Sequence, residues 1–442
     1  MKNKSLNKTF YSYIIPSILA FALSGVYTIV DGFFIGNNLG DDGIAAITIA
    51  FPIAAFIQAI GTGVGMAGGI NYSILKSDND INKRYKCFTI TLILLLVISI
   101  ISTIIFFFSA NLLMKLFGAE GNVYELATQY IKVVAFGATF QIFATGLVPF
   151  MRNMNGASVA MIAMMSGFFT NIILDYLFIF VIPLKMIGAA LATVIGQAIT
   201  LLIAIIFLVV KKIKIYKCQF KEITFLSKDL LKIALSPFGL TFSPTLTLIL
   251  MSKFLLLYGT SNDVAVFGCI DYVLSVIYML LQGVGDGSQP LISMYYGKKD
   301  ISSLNIVKKK TYLFGEALTV VCMFFVFIFR KQIGILFGAS NEVNNDVIKY
   351  IPYFLSSLVF LCFSKISSSY FYAIKNAKMS YFLVYAEPIL VLLMLIILPS
   401  FLNILGVWIA IPIAQSIAFI FAIIIKITLS KKKENNKQKA TI

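Results

Sequence analysis

The feature that most limits this chain is a series of long apolar runs without a charged residue. Residues 88–110 and 187–210 are two examples. Runs of about 18 or more such residues are typical of membrane-spanning helices. Only 12% of the residues are charged, whereas a soluble domain has about 25%. The sequence therefore predicts an all-α polytopic membrane protein and excludes soluble enzymes, nucleic-acid modules and disordered chains. Outer-membrane barrels are excluded because their strands alternate in hydropathy.

Hydropathy and helix-breaking residues divide the chain into twelve predicted membrane spans. These are 10–36, 43–75, 87–110, 122–150, 157–181, 187–210, 230–258, 264–296, 310–330, 344–373, 379–402 and 405–426. If both termini are inside, the inner segments hold 28 of the 36 lysines and arginines. The positive-inside rule then places both termini in the cytoplasm. The same distribution accounts for the net charge of +17, so no nucleic-acid partner is predicted.

The residue types that usually carry enzyme chemistry are scarce or scattered. Histidine is absent, and the five cysteines form no CxxC pair, so neither a zinc site nor a disulfide framework is indicated. The spans contain no nucleophile paired with a base. The sequence predicts a protein without cofactors that is not an enzyme. Its amino terminus has no cleavage site of the A-x-A type and is predicted to be a retained first helix.

The chain is also a tandem repeat. The segment LFGA occurs at 116–119 and again at 336–339, and GVG at 63–65 recurs at 283–285, both at an offset of 220. Six spans per half place the halves in the same orientation. This predicts two parallel six-helix repeats around a central cavity, the architecture of a transporter. The predicted divisions are an N-lobe at 1–210, a basic cytoplasmic linker at 211–232, a C-lobe at 233–427 and a basic cytoplasmic tail at 428–442.

Nucleotide-binding motifs do not explain the chain. GVGMAG at 63–68 matches the pattern G-x-G-x-x-G, but it lies within an uncharged hydrophobic helix and follows no strand. Close packing of helices through small residues explains it better. No G-x-x-x-x-G-K-[ST] loop is present. Uphill transport would therefore need an ion gradient as its source of energy.

Ionisable residues within spans point to a function more directly than other residues do. Asp31, Asp175 and Thr193 lie about 8–9 Å below the predicted outer edge, counted at about 1.5 Å per residue. Asn171 lies one turn deeper than Asp175 on the same helix face, and Tyr27 has the same relation to Asp31. These oxygens at one depth predict a cage for Na⁺, or two carboxylates that share a proton. The alternative is a pair of interfacial aspartates that face the outside water.

The repeat favours the ion site. At the repeat offsets, the second half has Met251, Ile396 and Ile411 where the first half has the two aspartates and the threonine. A purely architectural role would be expected in both halves. The asymmetry therefore indicates a site specialised to the first half.

Other intramembrane charges lie in the second half. Lys253 and Asp271 have similar predicted depths on consecutive spans and predict an ion pair, or else a cavity in which Asp271 meets cations. Four further residues lie nearer the predicted inner face, as gate or packing residues without an assigned role: Asp286, Glu316, Lys365 and Glu387.

Several segments together resemble one transporter family. They are VDGFFIGNNLGDDGIAAITIAFPI (30–53), RNMNGASVAMI (152–162), NIILDYLFIF (171–180), GAALATVIGQ (188–197) and GSQPLISMYYG (287–297). The chain is similar to MATE (multidrug and toxic compound extrusion) transporters, and to their bacterial MepA-like branch in particular. The resemblance covers nearly the whole chain. It implies a cell inner (plasma) membrane protein that exports cationic or amphipathic drugs by alternating access, in exchange for Na⁺ or H⁺.

The resemblance also implies roles for individual residues. An amino-lobe cation site of bacterial members matches Asp31, Asn171, Asp175 and Thr193, and Pro16 matches a proline associated with bending of the first helix. The NorM-like branch has carboxylates on spans seven and ten. Lysines at 253 and 365 stand on those spans here, which puts a second-lobe cation site in doubt.

Two functions fit the sequence. The first is a cation-coupled antiporter for small organic cations or amphipathic drugs that works as a monomer in the lipid bilayer. The alternative is a flippase for lipid-linked saccharides from the same wider superfamily, whose cavity would be expected to present arginines or lysines to a pyrophosphate. Carboxylates serve both Na⁺ and H⁺ as coupling ions, and the shape of the cavity rather than a motif decides the substrate.

Overall fold

The computed structural model describes residues 2–77 and 80–439 and is helical almost throughout. Its helices are α1 (Lys2–Leu75), α2 (Ile81–Leu116), α3 (Gly121–Phe136), α4 (Ala138–Asn153), α5 (Ala157–Tyr176), α6 (Lys185–Val210), α7 (Phe220–Tyr258), α8 (Ser261–Gly297), α9 (Ile301–Leu336), α10 (Asn341–Ala373), α11 (Ala377–Ile397), α12 (Pro399–Leu402) and α13 (Ile404–Lys439). A π-helical turn, Leu177–Val181, follows α5.

The helices account for the twelve predicted spans. Ten helical stretches of the described residues are long and apolar enough to cross a membrane, and α3 with α4 forms one further span bent by 58°. The stretch Leu6–Leu75 in α1 has 70 residues, or about 105 Å, whereas the hydrocarbon core is about 30 Å thick. Its helical backbone is interrupted at Gly40, which has φ 62° and ψ −153°. A helix broken at this glycine supplies two spans, and the polytopic all-α fold is confirmed.

The tandem repeat is visible in the turns between helices. Residues with a left-handed backbone recur at matching positions in the two halves, at offsets of 220, 220 and 218. The pairs are Gly118 and Gly338, Asn155 and Lys375, and Lys185 and Asn403. In the first pair, the next residue donates its backbone N–H to the carbonyl five residues earlier in both halves, which is the hydrogen bond of a Schellman cap. These turns therefore have matching backbone conformations in the two halves.

The described chain forms two compact units. Unit 1 contains residues 2–77, 80–242, 282–307 and 373–375. Its aromatic core surrounds Phe150, whose ring makes edge contacts with Phe88 and Tyr72. Residues 211–219 lie outside the helices, and α7 begins at Phe220. The start of α7 is held to α2 by a 2.6 Å ion pair between Glu222 and Lys86.

Unit 2 contains residues 243–281, 308–372 and 376–439. Trp408, the single tryptophan of the chain, is fully buried there. Its ring stacks on Tyr350 at a centroid distance of 4.2 Å and meets Phe354 edge-on. The division into lobes, linker and tail at 210, 232 and 427 stays a prediction.

The GVGMAG segment lies inside the second helical part of α1, as the sequence predicts. A side chain at Gly65 would collide with the backbone of Gly146 in α4, and one at Gly68 with Phe150 and Thr91. The interpretation of this segment as a helix-packing surface is confirmed.

Candidate functional site

The candidate site in unit 1 starts from a close approach of α5 and α6. A Cβ atom on Gly167 would meet the carbonyl oxygen of Gly196, and one on Gly196 would meet that of Gly167. Absence of side chains at these two positions lets the helices pack almost backbone to backbone. One turn further along α5, Asn171 donates a 3.5 Å hydrogen bond to Thr193 on α6. The Thr193 hydroxyl in turn donates to the Ala189 carbonyl at 3.1 Å.

The two aspartates predicted for this site come together. Asp175 on α5 is fully buried, and Asp31 on α1 is 7% exposed. Their carboxyl groups are close enough for one to hydrogen-bond the other when a proton lies between them. The alternative of two water-facing interfacial aspartates does not fit this burial. The π-helical turn begins two residues after Asp175, a deviation that is frequent at functional sites.

Four acceptor oxygens of this group lack protein partners. Asp31 Oδ1, both carboxylate oxygens of Asp175 and Asn171 Oδ1 are buried without a hydrogen-bond partner among the described residues. No lysine or arginine in the described part of the chain forms an ion pair with either aspartate. Unpartnered buried polar atoms are costly. Four such oxygens in one place are therefore an observation that a bound cation would explain.

Two tyrosines complete the surroundings of these oxygens. The ring of Tyr27 stacks on Phe168 at a centroid distance of 5.2 Å, and its hydroxyl lies close to that of Thr193. Tyr130 on α3 is 5% exposed and lies beside Thr193 and both aspartates. Tyr27 was predicted from the sequence, whereas Tyr130 was missed. Its depth could have revealed it, since it stands eight residues into predicted span four, or about 12 Å from the outer end.

The arrangement suits a small cation or a shared proton. Carboxylate, amide, hydroxyl and phenol oxygens are hard ligands of the kind that bind alkali and alkaline-earth ions. Two carboxyl groups in contact cannot both be charged at low cost unless a positive charge lies between them. The residues present therefore fit Na⁺, and they fit a proton as well.

Pro16 lies in the part of α1 that precedes Gly40. Its neighbours keep helical backbone angles, and the one non-helical residue described within α1 is Gly40. A proline within a helix removes one backbone hydrogen bond and weakens the helix locally. The role of Pro16 as a hinge stays a prediction.

In unit 2, Lys253 and Asp271 do not form the predicted ion pair. No ion pair joins them among the described residues. The Lys253 side chain is exposed, whereas that of Asp271 is half-buried. Equal depth on neighbouring helices does not fix the direction in which a side chain leaves the helix. The second interpretation, a cavity in which Asp271 meets cations, stays a prediction.

A different polar group lies inside unit 2. The Lys365 ammonium is 5.4 Å from the centroid of the Tyr278 ring, and the Glu387 carboxylate acts on its charge. Gln415 donates a 3.2 Å hydrogen bond to Glu387. We call these four residues the Lys365 cluster. The sequence places Glu316 near the predicted inner face, as it does Lys365 and Glu387. In the structure, Glu316 lies beside the thiol of Cys362.

Asp286, the last of the four residues without an assigned role, lies in unit 1 together with its partner. It forms a buried ion pair with Arg152 at 3.4 Å, with side chains only 4% and 2% exposed. Gln282 donates a 3.0 Å hydrogen bond to the other Asp286 oxygen. The Arg152 guanidinium also lies 5.3 Å from the centroid of the Phe21 ring. The sequence did not reveal this pair, because its members are 134 residues apart and have no shared motif.

Comparison with known proteins gives one consistent family. The family model MatE matches residues 16–177 and 233–398. The multidrug export protein MepA of Staphylococcus saprophyticus is 27% identical over 348 residues, or 77% of this chain and 74% of that protein. MepA of Staphylococcus haemolyticus is 23% identical over 98% of this chain and 95% of its own length.

Solved structures show the same fold. A MOP superfamily transporter from Pyrococcus furiosus aligns with a TM-score of 0.89, at 23% identity and over 97% of both chains. An outward-facing multidrug resistance MATE family transporter aligns with the same TM-score, identity and coverage. A further structure, described as a MATE in the straight conformation, aligns with a TM-score of 0.87 at 22% identity over 97% of both chains.

Proposed function

Because the chain belongs to the MatE family of membrane transporters, we propose that it exports cationic or amphipathic drugs and toxic organic compounds in exchange for Na⁺ or H⁺. The observation that supports the exchange is the set of four buried, unpartnered oxygens on Asp31, Asp175 and Asn171. The two carboxylates would hold the coupling ion, with the hydroxyl of Thr193 and the phenols of Tyr27 and Tyr130 around it.

Coupling requires that the ion prefer one conformation over another, since a ligand with equal affinity for both shifts nothing. The ion would join Asp31 on α1 to Asp175 on α5 and neutralise their repulsion. Without the ion, that repulsion would favour separation of the two helices. Alternating access would follow from this difference, with α1 as the moving element and Pro16 as its weak point.

The protein would act as a monomer in a bacterial plasma membrane, with both termini in the cytoplasm. The charge count supports this orientation, since 28 of 36 basic residues fall in the segments assigned to the inside. The names of the MepA relatives support multidrug export. Small organic cations, amphipathic drugs and lipids would be its only partners.

The proposed exchange can be tested in everted membrane vesicles, in which export becomes uptake. The cationic dye rhodamine 123 should accumulate when the vesicle lumen is loaded with Na⁺ or made acidic. Collapse of the gradient by monensin for Na⁺, or by nigericin for H⁺, should stop the uptake and identify the coupling ion. Uptake that is the same with and without either gradient would exclude ion-coupled export.

A further inference from the structure

Lys365 on α10 is the starting point in unit 2. Its side chain is only 7% exposed, yet its ammonium has no hydrogen-bond acceptor or ion pair among the described residues. The ring of Tyr278 lies 5.4 Å away. A charged group at this depth in a membrane protein is costly without a partner. Such a lysine therefore has unused capacity to bind an anionic group.

The surroundings of Lys365 offer more than one kind of contact. Glu387 on α11 acts on the lysine charge without forming an ion pair with it, and Gln415 on α13 holds the carboxylate by a 3.2 Å hydrogen bond. Tyr278 on α8 adds an aromatic ring. The cluster thus presents one positive group, one negative group and an aromatic surface within one compact unit.

A ligand that carried only a positive charge would be drawn to Glu387 but repelled by Lys365. A ligand that carried only a negative charge would be attracted by Lys365 but repelled by Glu387. An aromatic zwitterion would satisfy both groups, because its carboxylate could receive charge-assisted hydrogen bonds from the lysine while its cationic part faced the glutamate.

We propose that Tyr278, Lys365, Glu387 and Gln415 form a substrate subsite for aromatic zwitterions, in which Lys365 binds the carboxylate of the ligand. This subsite rests on the proposed export function and narrows its substrate class. Glu387 binds the positive part of the ligand, Gln415 positions Glu387, and the ring of Tyr278 packs against the aromatic body of the ligand.

The test uses two dyes that differ only at the group that Lys365 would bind. Rhodamine 110 has a free carboxylate and is a zwitterion, and rhodamine 123 is its methyl ester and a cation. Binding of each dye to the purified full-length protein is measured by fluorescence anisotropy. The wild type should bind rhodamine 110 at least about 10-fold more tightly than rhodamine 123, because a hydrogen bond to a charged group changes affinity by about 10- to 100-fold.

Variants assign the preference to the lysine. Lys365→Met should weaken the binding of rhodamine 110 by about 10-fold or more. It should leave the affinity for rhodamine 123 unchanged or raise it, because the repelling charge is gone. Lys365→Arg should keep the preference for the acid, and Glu387→Gln should weaken both dyes. The matched control is Lys331→Met, the same substitution at an exposed lysine of unit 2, which should change neither affinity.

The outcomes separate the subsite from the export function. Equal binding of the two dyes by the wild type would overturn the subsite, even where Lys365→Met failed to fold. An equal loss of both dyes in Lys365→Met, or no loss of either, would also overturn it. Failure of rhodamine 123 uptake under every ion gradient would reject the export function instead, while the anisotropy data would still decide the subsite.

Discussion

Unit 1 contains two buried groups of charged side chains that are built in opposite ways. Asp31 and Asp175 place like charges together, with acceptor oxygens that have no protein partner. Arg152 and Asp286 place opposite charges 3.4 Å apart, and Gln282 donates a hydrogen bond to the aspartate. Burial is nearly complete in both groups. The two groups differ in charge compensation. Arg152 and Asp286 neutralise each other, whereas Asp31 and Asp175 have no counterion among the described residues.

This contrast is the one expected between a proposed binding site and a structural contact. A buried ion pair with satisfied hydrogen bonds has little left to offer a ligand, and loss of either partner leaves an uncompensated charge. Two carboxylates without a counterion are costly until a cation or proton arrives. The two aspartates are therefore a local source of instability that a bound cation or proton would remove, as the proposed function requires. The Lys365 cluster is intermediate, because it holds one charge of each sign without an ion pair.

The largest expected effect comes from removing a carboxylate of the like-charged group. Asp31→Asn and Asp175→Asn should each reduce gradient-driven dye uptake to the vesicle background, a fall of about 100-fold or more, because no neighbouring amide or hydroxyl replaces the lost charge. The measurement is rhodamine 123 uptake into everted vesicles, normalised to the amount of protein in the membrane.

The matched control for these variants is Glu316→Gln, which neutralises a half-buried carboxylate in unit 2. It should retain most of the uptake. Full Na⁺- and H⁺-dependent uptake in both Asp31→Asn and Asp175→Asn would exclude the proposed ion site, and the coupling carboxylate would then have to be sought in unit 2.

Breaking the compensated pair should instead damage stability. Arg152→Met leaves Asp286 buried without its counterion and should cost about 3–5 kcal/mol. The temperature at which the protein loses its monodisperse gel-filtration peak should fall accordingly. The double variant Arg152→Met with Asp286→Leu removes both charges and should recover most of that loss. If the double variant were as unstable as the single one, packing around Arg152 rather than charge compensation would be the cause.

Ion binding should be visible as stabilisation without any transport. Na⁺ at 100 times its dissociation constant should stabilise the wild type by about 2.7 kcal/mol. Asp175→Asn should lose this stabilisation by Na⁺. Arg152→Met should keep it, although this variant should unfold at a lower temperature in both salts. Thermal unfolding in NaCl is compared with unfolding in choline chloride at equal ionic strength. In a proton-coupled protein, Na⁺ would not change the unfolding temperature, but pH would. If neither Na⁺ nor pH changed the unfolding temperature, the proposed site would be contradicted.

The sequence predicted which polar residues lie together because depth along a helix can be counted. Asp31, Asp175 and Thr193 stand at one predicted depth on three spans, and the structure brings them together. The helix spacing of four residues also placed Asn171 correctly beside them. These inferences depend on the regular rise of a helix, which is insensitive to how the helices turn about their axes.

The sequence failed where rotation about a helix axis or long-range pairing mattered. Lys253 and Asp271 share a depth, yet the lysine is exposed and the two form no ion pair. Arg152 and Asp286 are 134 residues apart in the sequence, and no pattern around either residue indicates that the two form an ion pair. Tyr130 was overlooked because phenols are common in membrane helices, so that only its depth distinguishes it from packing residues.

The smallest effects should come from the neutral members of the site. Asn171→Ala and Thr193→Ala each remove one uncharged oxygen and should weaken the apparent Na⁺ affinity by about 3- to 10-fold, since a neutral hydrogen-bonding group contributes about 0.5–1.5 kcal/mol. Tyr130→Phe should have an effect at the lower end of this range, because both carboxylates remain. The measurement is the Na⁺ concentration that gives half-maximal dye uptake. If Tyr130→Phe reduced uptake to the vesicle background, as Asp175→Asn should, the phenol would be an essential ligand. The contrast between charged and neutral members would then fail, because the positive ion would no longer be held mainly by the two carboxylates whose repulsion it relieves.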